Sequence, residues 1–201
     1  MKFPRKIKDA APCSLTRADI ERLAEVAAEK LGYETRSDPA PIGAKLGIRV
    51  TRTTPVEEHD DEMIAFADGK VVLSLIDASL LVDGRTQRNR EASDMAKAIG
   101  HLILHLPVIT TLGDGTAMVV ARYPSDKQGK LAAQQAHWFA AAFLAPSDAI
   151  REISSRGANK GDVAQTLMER HFLCRTLASA RVHTVLGGDD AEERDVVMLD
   201  A

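Results

Sequence analysis

The protein has 201 residues, 45% of them hydrophobic, which is enough for the packed core of one ordinary domain. A formal net charge of −3, 27% charged residues and only 4% aromatics give no sign of a nucleic-acid or membrane binder, and no run reaches the ~20 apolar residues of a membrane-spanning helix. Cys13 and Cys174 lie far apart without CxxC spacing, and the basic N-terminus leads into no apolar signal segment, so neither a disulfide framework nor secretion is indicated and a cytoplasmic protein is expected.

Residues 1–13, with Lys2, Arg5, Lys6 and Lys8 beside Pro4 and Pro12, read as a flexible basic arm. Thr16 with Asp19 three residues on predicts a helix N-cap, and Ile20, Leu23, Ala24, Ala27 and Leu31 recur at helical spacing before Gly32. A short helix from Pro41 to Leu46 should stop at Gly47, and Ile48–Thr53 has the β-branched content of a strand. Met63–Ala67 and Val71–Leu75 flank Asp68-Gly69, a hairpin turn signal, so a small antiparallel sheet is predicted.

A long helix is predicted over Arg88–Leu106, ended by Pro107, with Met95, Ile99, Leu102 and Leu106 on its apolar face. Asp94, Lys97, His101 and His105 fall three, four and four residues apart and share another stripe of it. A second hairpin is expected across Val108–Tyr123 around Gly113-Asp114-Gly115. Lys130–Leu144 then reads as a helix burying Ala132, Ala136, Phe139, Ala140 and Phe143, the natural partner of the helix that carries His101. Asp162–Arg170 and Arg175–Leu186 form a closing helical pair at helix-turn-helix spacing, within 161–186. Residues 187–201 hold Asp189, Asp190, Glu192, Glu193, Asp195 and Asp200 against Arg194 and read as an acidic disordered tail.

The segment Met95–His105, MAKAIGHLILH, resembles the AHELGHLLLH segment of the ImmA/IrrE family of metallopeptidases, sharing Ala96, Gly100, His101, the apolar run and His105. PAPIGAKLGIRV at 39–50, DGKVVLSL at 68–75, QQAHWFAAAFLAP at 134–146 (against ExxANxFAxxLLMP) and the closing pair follow in the family's order, so the resemblance spans roughly residues 16–186. It implies an α+β, zincin-like fold over residues 14–186, with long packed helices, a small antiparallel sheet and the C-terminal pair.

A zincin sets two histidines at i and i+4 of one helix, with a glutamate after the first that takes the proton of the metal-bound water, and draws its third ligand from a later helix. Carried over by the resemblance, the first zinc histidine falls on Lys97, the catalytic glutamate on Ala98, the second histidine on His101 and the third ligand on Ala133. One imidazole is short of the three protein ligands of a catalytic zinc site, and Ala98 offers no base. No catalytic residue and no cofactor is therefore expected, and Asp94, Lys97, His101 and His137 are the expected binding cleft.

Family members act in bacteria and phages on helix-turn-helix repressors. The resemblance thus implies an inactive metallopeptidase-like regulator that binds a protein partner, such as a helix-turn-helix repressor of the XRE type. Two alternatives stay open. One is a metal-dependent endopeptidase whose zinc site has moved to His101, His105 and His137; the other is a DNA-binding regulator that uses Arg170, Arg175 and Arg181 of the closing pair. His105 has a plainer reading as a hydrogen-bonded core residue, Lys97 as the i, i+3 partner of Asp94, and Cys174 as a buried, inert small residue.

Overall fold

The computed structural model describes residues 6–53, 62–67, 70–77, 82–110 and 116–187. The part of the basic arm before residue 6, the Asp68-Gly69 and Gly113–Gly115 turns and the tail from residue 188 lie outside them.

The helices begin where short polar side chains can satisfy free amide groups. In α1 (Arg17–Lys30) the Thr16 hydroxyl accepts from the Asp19 amide, and Gly32, at φ +67, takes the left-handed turn just beyond the helix. Helix α2 (Ala40–Lys45) gives way to Gly47, at φ +80, and strand β2 (Ile48–Thr53). Helix α3 spans Gly84–Leu104, and Asp83 caps it by accepting from the Arg85 and Thr86 amides. Helix α5 (Lys127–Leu144) is capped in the same way by Asp126, and α7 (Lys160–Arg170) by Asn159. The closing pair α7 and α8 (Arg175–Leu186) falls where the sequence predicts it, and a further short helix, α6 (Ser147–Ser155), fills the stretch after Pro146.

The sheet has five strands in the order β1-β5-β3-β4-β2, where β1 is Lys6–Asp9, β3 Glu62–Ala67, β4 Lys70–Ile76 and β5 Thr116–Ala121. The predicted hairpin is present, with β3 antiparallel to β4 from Ile64 opposite Leu73 to Ala67 opposite Lys70. The sheet is mixed, however, and not antiparallel: β2 runs parallel to β4, and β1 parallel to β5. Strand direction depends on which distant segment supplies the partner, and the local pattern of a strand does not carry it.

Two further expectations are corrected. Over Lys6–Asp9 the basic arm is an edge strand, because the free edge of β5 offers ladder partners to the backbone groups on its inner side. Among the described residues the second hairpin is not found: Leu106–Thr110 is a short helix, α4, and β5 is the only strand of the expected pair there. Pro107 sits within the first turn of α4, where a missing N–H leaves no bond unmade, so it separates two helices and does not start a strand.

One hydrophobic cluster joins all layers, from Ile20 and Ala24 of α1 through Leu73 and Met118 of the sheet to Leu167 and Val182 of the closing pair. Its centre is the crossing of α3 and α5, the pairing the alanine-rich faces predict. A Cβ added at Gly100 would lie 3.0 to 3.2 Å from the Cδ1, Cγ and Cβ atoms of Phe139, so the absence of a side chain at 100 sets how closely the helices approach. Among the described residues no helix is long and apolar enough to cross a membrane.

Candidate functional site

The α3–α5 crossing leaves a cleft of about 500 Å³ on the side facing the sheet. Asp94, Lys97 and His101 reach it from α3, Ala133 and His137 from α5, and Arg122 from the end of β5; the first turn of α8 closes one side through Cys174 and Thr176. Asp94, Lys97, His101 and His137, from two helices, thus line one cavity. Three of the four positions of the family's zinc machinery, now Lys97, His101 and Ala133, share this wall. The fourth, Ala98, is fully buried in the core and does not line the cleft.

Lys97 Nζ lies 2.8 Å from Asp94 Oδ1, both side chains being more than four-fifths buried. The other Asp94 oxygen is 3.6 Å from Nη1 of Arg122, whose Nη2 donates to the Ser74 carbonyl at 2.6 Å. One carboxylate thus faces two cations. Across the whole cleft wall three cations, Arg90, Lys97 and Arg122, stand against two carboxylates, Glu91 and Asp94, and Glu91 is already paired with Arg52 at 3.0 Å. Arg122 Nε is buried without a hydrogen-bond partner, so this guanidinium is incompletely satisfied.

His105 parts company with the stripe that predicts it. It is fully buried, does not line the cleft, and places Nδ1 at 2.8 Å from His101 Nδ1 and Nε2 at 3.1 Å from Gln135 Oε1. Gln135 is oriented by the Cys13 backbone, whose N–H donates to Oε1 and whose carbonyl accepts from Nε2, each at 2.9 Å. Oε1 is therefore an acceptor, and His105 must donate from Nε2. Burial holds His105 neutral by lowering its pKa to about 4, so its Nδ1 carries a lone pair and accepts from His101 Nδ1–H. Burial, followed by the neighbouring His105, His137 and Lys97, depresses His101 well below its ordinary value. Neutral His101 then carries its lone pair on Nε2, and no bond to that nitrogen is made among the described residues.

His137, partly buried on the opposite wall, is pushed down to about 3, first by burial and then by the Lys97 charge. Cys174 is half-buried on the cleft wall as the N-cap of α8, and its backbone N–H donates to Ser93 Oγ at 2.9 Å. The expectation of a buried small residue is corrected in part: Cys174 packs against the edge of the core, and the turn before α8 also opens onto the cavity.

The residues present do not fit a zinc ion. Of the family's positions only His101 offers a donor atom, an ammonium at Lys97 shares the cavity, and among the described residues no three His, Cys, Asp or Glu side chains converge. The relocated set fails on His105, which commits both ring nitrogens to His101 and Gln135. The DNA-binding alternative loses Arg181: only 1% of its side chain is exposed, and it bonds the Ala145 carbonyl, Glu21, Glu25 and Ser147. Arg170 and Arg175 remain exposed. Arg122, Gln135 and the start of α8 carry no signal in the sequence, because they sit outside the motif and reach the site only through packing.

Two long helices crossed over a mixed sheet, with a cleft at the family's zinc positions, define a zincin-like, metallopeptidase-like protein. The protein belongs to the family described as the IrrE N-terminal-like domain, peptidase family M78, which matches residues 44–182. No curated protein and no solved structure matches it.

Proposed function

We propose that this protein is a metallopeptidase-like regulator that binds a protein partner in the cleft without hydrolysing it. The observation that carries the reading is the occupancy of the family's catalytic positions: Lys97 in a 2.8 Å pair with Asp94, the buried methyl group of Ala98, and Ala133 beside a single histidine. Neither the Lewis acid nor the general base of a zincin has residues to hold or supply it. The cleft at these positions has a wall of mixed polar and apolar groups and is large enough for a peptide side chain or terminus. The partner class follows from the family resemblance: a helix-turn-helix repressor, in bacterial or phage gene control. The two unpaired cysteines fit a cytoplasmic setting.

The test is elemental metal analysis of untagged protein purified without chelator and challenged with excess zinc, beside His101→Ala, with the same samples incubated with a candidate repressor. Metal well below one equivalent, with the repressor left intact and co-eluting, is the expected result. Near-stoichiometric zinc that disappears in His101→Ala, or metal-dependent cleavage, would overturn it.

A further inference from the structure

We propose that the cleft is a receptor for a peptide carboxylate together with a neighbouring backbone N–H, with Lys97 and the start of α8 holding the carboxylate and His101 Nε2 accepting from the N–H. The proposal rests on the non-hydrolytic reading above and names the chemistry that the site takes.

The charge in the cleft is unbalanced towards the positive. Asp94 is shared between Lys97 and Arg122, so one of these two largely buried cations is left without its own counterion. The first turn of α8 adds to the imbalance. Its N-cap, Cys174, makes no side-chain capping bond, and the turn contains no acidic residue. The free amide groups of a helix start carry a partial positive charge, and here Cys174 and Thr176 bring that start to the cavity wall. An anion placed between Lys97 and this turn meets both a full charge and oriented N–H donors.

A second, independent feature points to a ligand. His101 is 98% buried, being only 2% exposed, yet it lines the cleft with an Nε2 that has no partner among the described residues. Its tautomer is set from behind by the Cys13–Gln135–His105 relay, which makes the cleft-side nitrogen an acceptor. A simple anion satisfies the cations and leaves this acceptor bare. A peptide carboxylate brings acceptor oxygens for Lys97 and α8 and a backbone N–H for His101 within one residue of each other. Both a C-terminal carboxylate and an internal aspartate or glutamate have this chemistry.

Protein carrying ¹⁵N in its imidazoles and backbone amides is titrated with four probes: N-acetyl-tri-alanine as the free acid, the same peptide as its C-terminal amide, N-acetyl-Ala-Glu-Ala amide, and acetate. The expected result is saturable movement of the His101 imidazole and Thr176 amide signals with at least one peptide carboxylate. Binding of that probe should exceed the uncharged amide and acetate by about tenfold or more, the worth of a charge-assisted hydrogen bond. Preference for the free acid identifies a peptide terminus, and preference for the glutamate peptide an internal side chain. Lys97→Met should abolish the movement while the rest of the spectrum stays folded, and Lys97→Arg should keep most of it. A response to both carboxylate peptides no stronger than to the uncharged amide, tighter binding of acetate than of either carboxylate peptide, or no response from the folded wild type overturns the site. Cleavage of a bound peptide, read by mass spectrometry, would instead sink the non-hydrolytic reading and leave the carboxylate site standing.

Discussion

His101, in the last turn of α3, and His105, the C-cap of that helix, meet Nδ1 to Nδ1 at 2.8 Å with their rings tilted by 55°. The inner ring has no access to the cleft, yet it decides which nitrogen of the outer ring faces it. The cleft-side chemistry of His101 therefore depends on Gln135 and on the Cys13 backbone behind it.

Acid should destabilise the protein through these imidazoles. Burial lowers His105 to about 4 and His101 in the same direction, whereas an unfolded polypeptide takes up protons near 6.5. Between those values the unfolded state binds more protons, so stability is complete above about pH 6.5 and is lost as pH falls towards 4, by ~1.4 kcal/mol per pH unit for each histidine. Urea unfolding from pH 7 to 4.5 should show this slope, reduced by about one proton in His105→Asn. A flat profile would mean that the two rings are not held neutral.

Restoring the ligands should restore the metal. With His101 in place, Lys97→His combined with Ala133→Glu puts three family-type donors in the one cleft. The double variant is expected to bind close to one zinc by elemental analysis, and still to lack hydrolysis without a glutamate at Ala98. Failure to gain metal in a folded double variant would show that the helices no longer hold the zincin spacing.

Arg181 ties α8 to α1 by bonding Glu21 at 2.5 Å and Glu25 at 2.9 Å. Arg181→Met leaves Glu21 paired with Arg17 alone and Glu25 held by Ser147 alone, and the loss of these charged hydrogen bonds should cost about 1.5–3 kcal/mol in urea unfolding. A loss below about 1 kcal/mol would class the network with weak surface pairs.

Gly100→Ala should destabilise, although alanine is the better helix former by about 1 kcal/mol. The added methyl meets Phe139 down to its Cβ, which cannot swing away, so overpacking should win by roughly 1–3 kcal/mol in thermal or urea unfolding.

The main helices, the β3–β4 hairpin, the family and the loss of its zinc ligands are all legible in the residues alone. Each is written locally, in the capping residue Thr16, in the spacing of Ile20, Ala24 and Phe139, or in the identity of Lys97, Ala98 and Ala133. The parallel pairing of β1 and β2 with their partners and the burial of Arg181 emerge only on folding. So do the inward turn of His105 to Gln135 and the approach of Arg122 and the start of α8 to the cleft. These depend on segments far apart in sequence, such as Lys6 beside Thr116 and Cys13 beside Gln135. Periodicity says which face of an element is buried; only the packing of the elements says what that face meets.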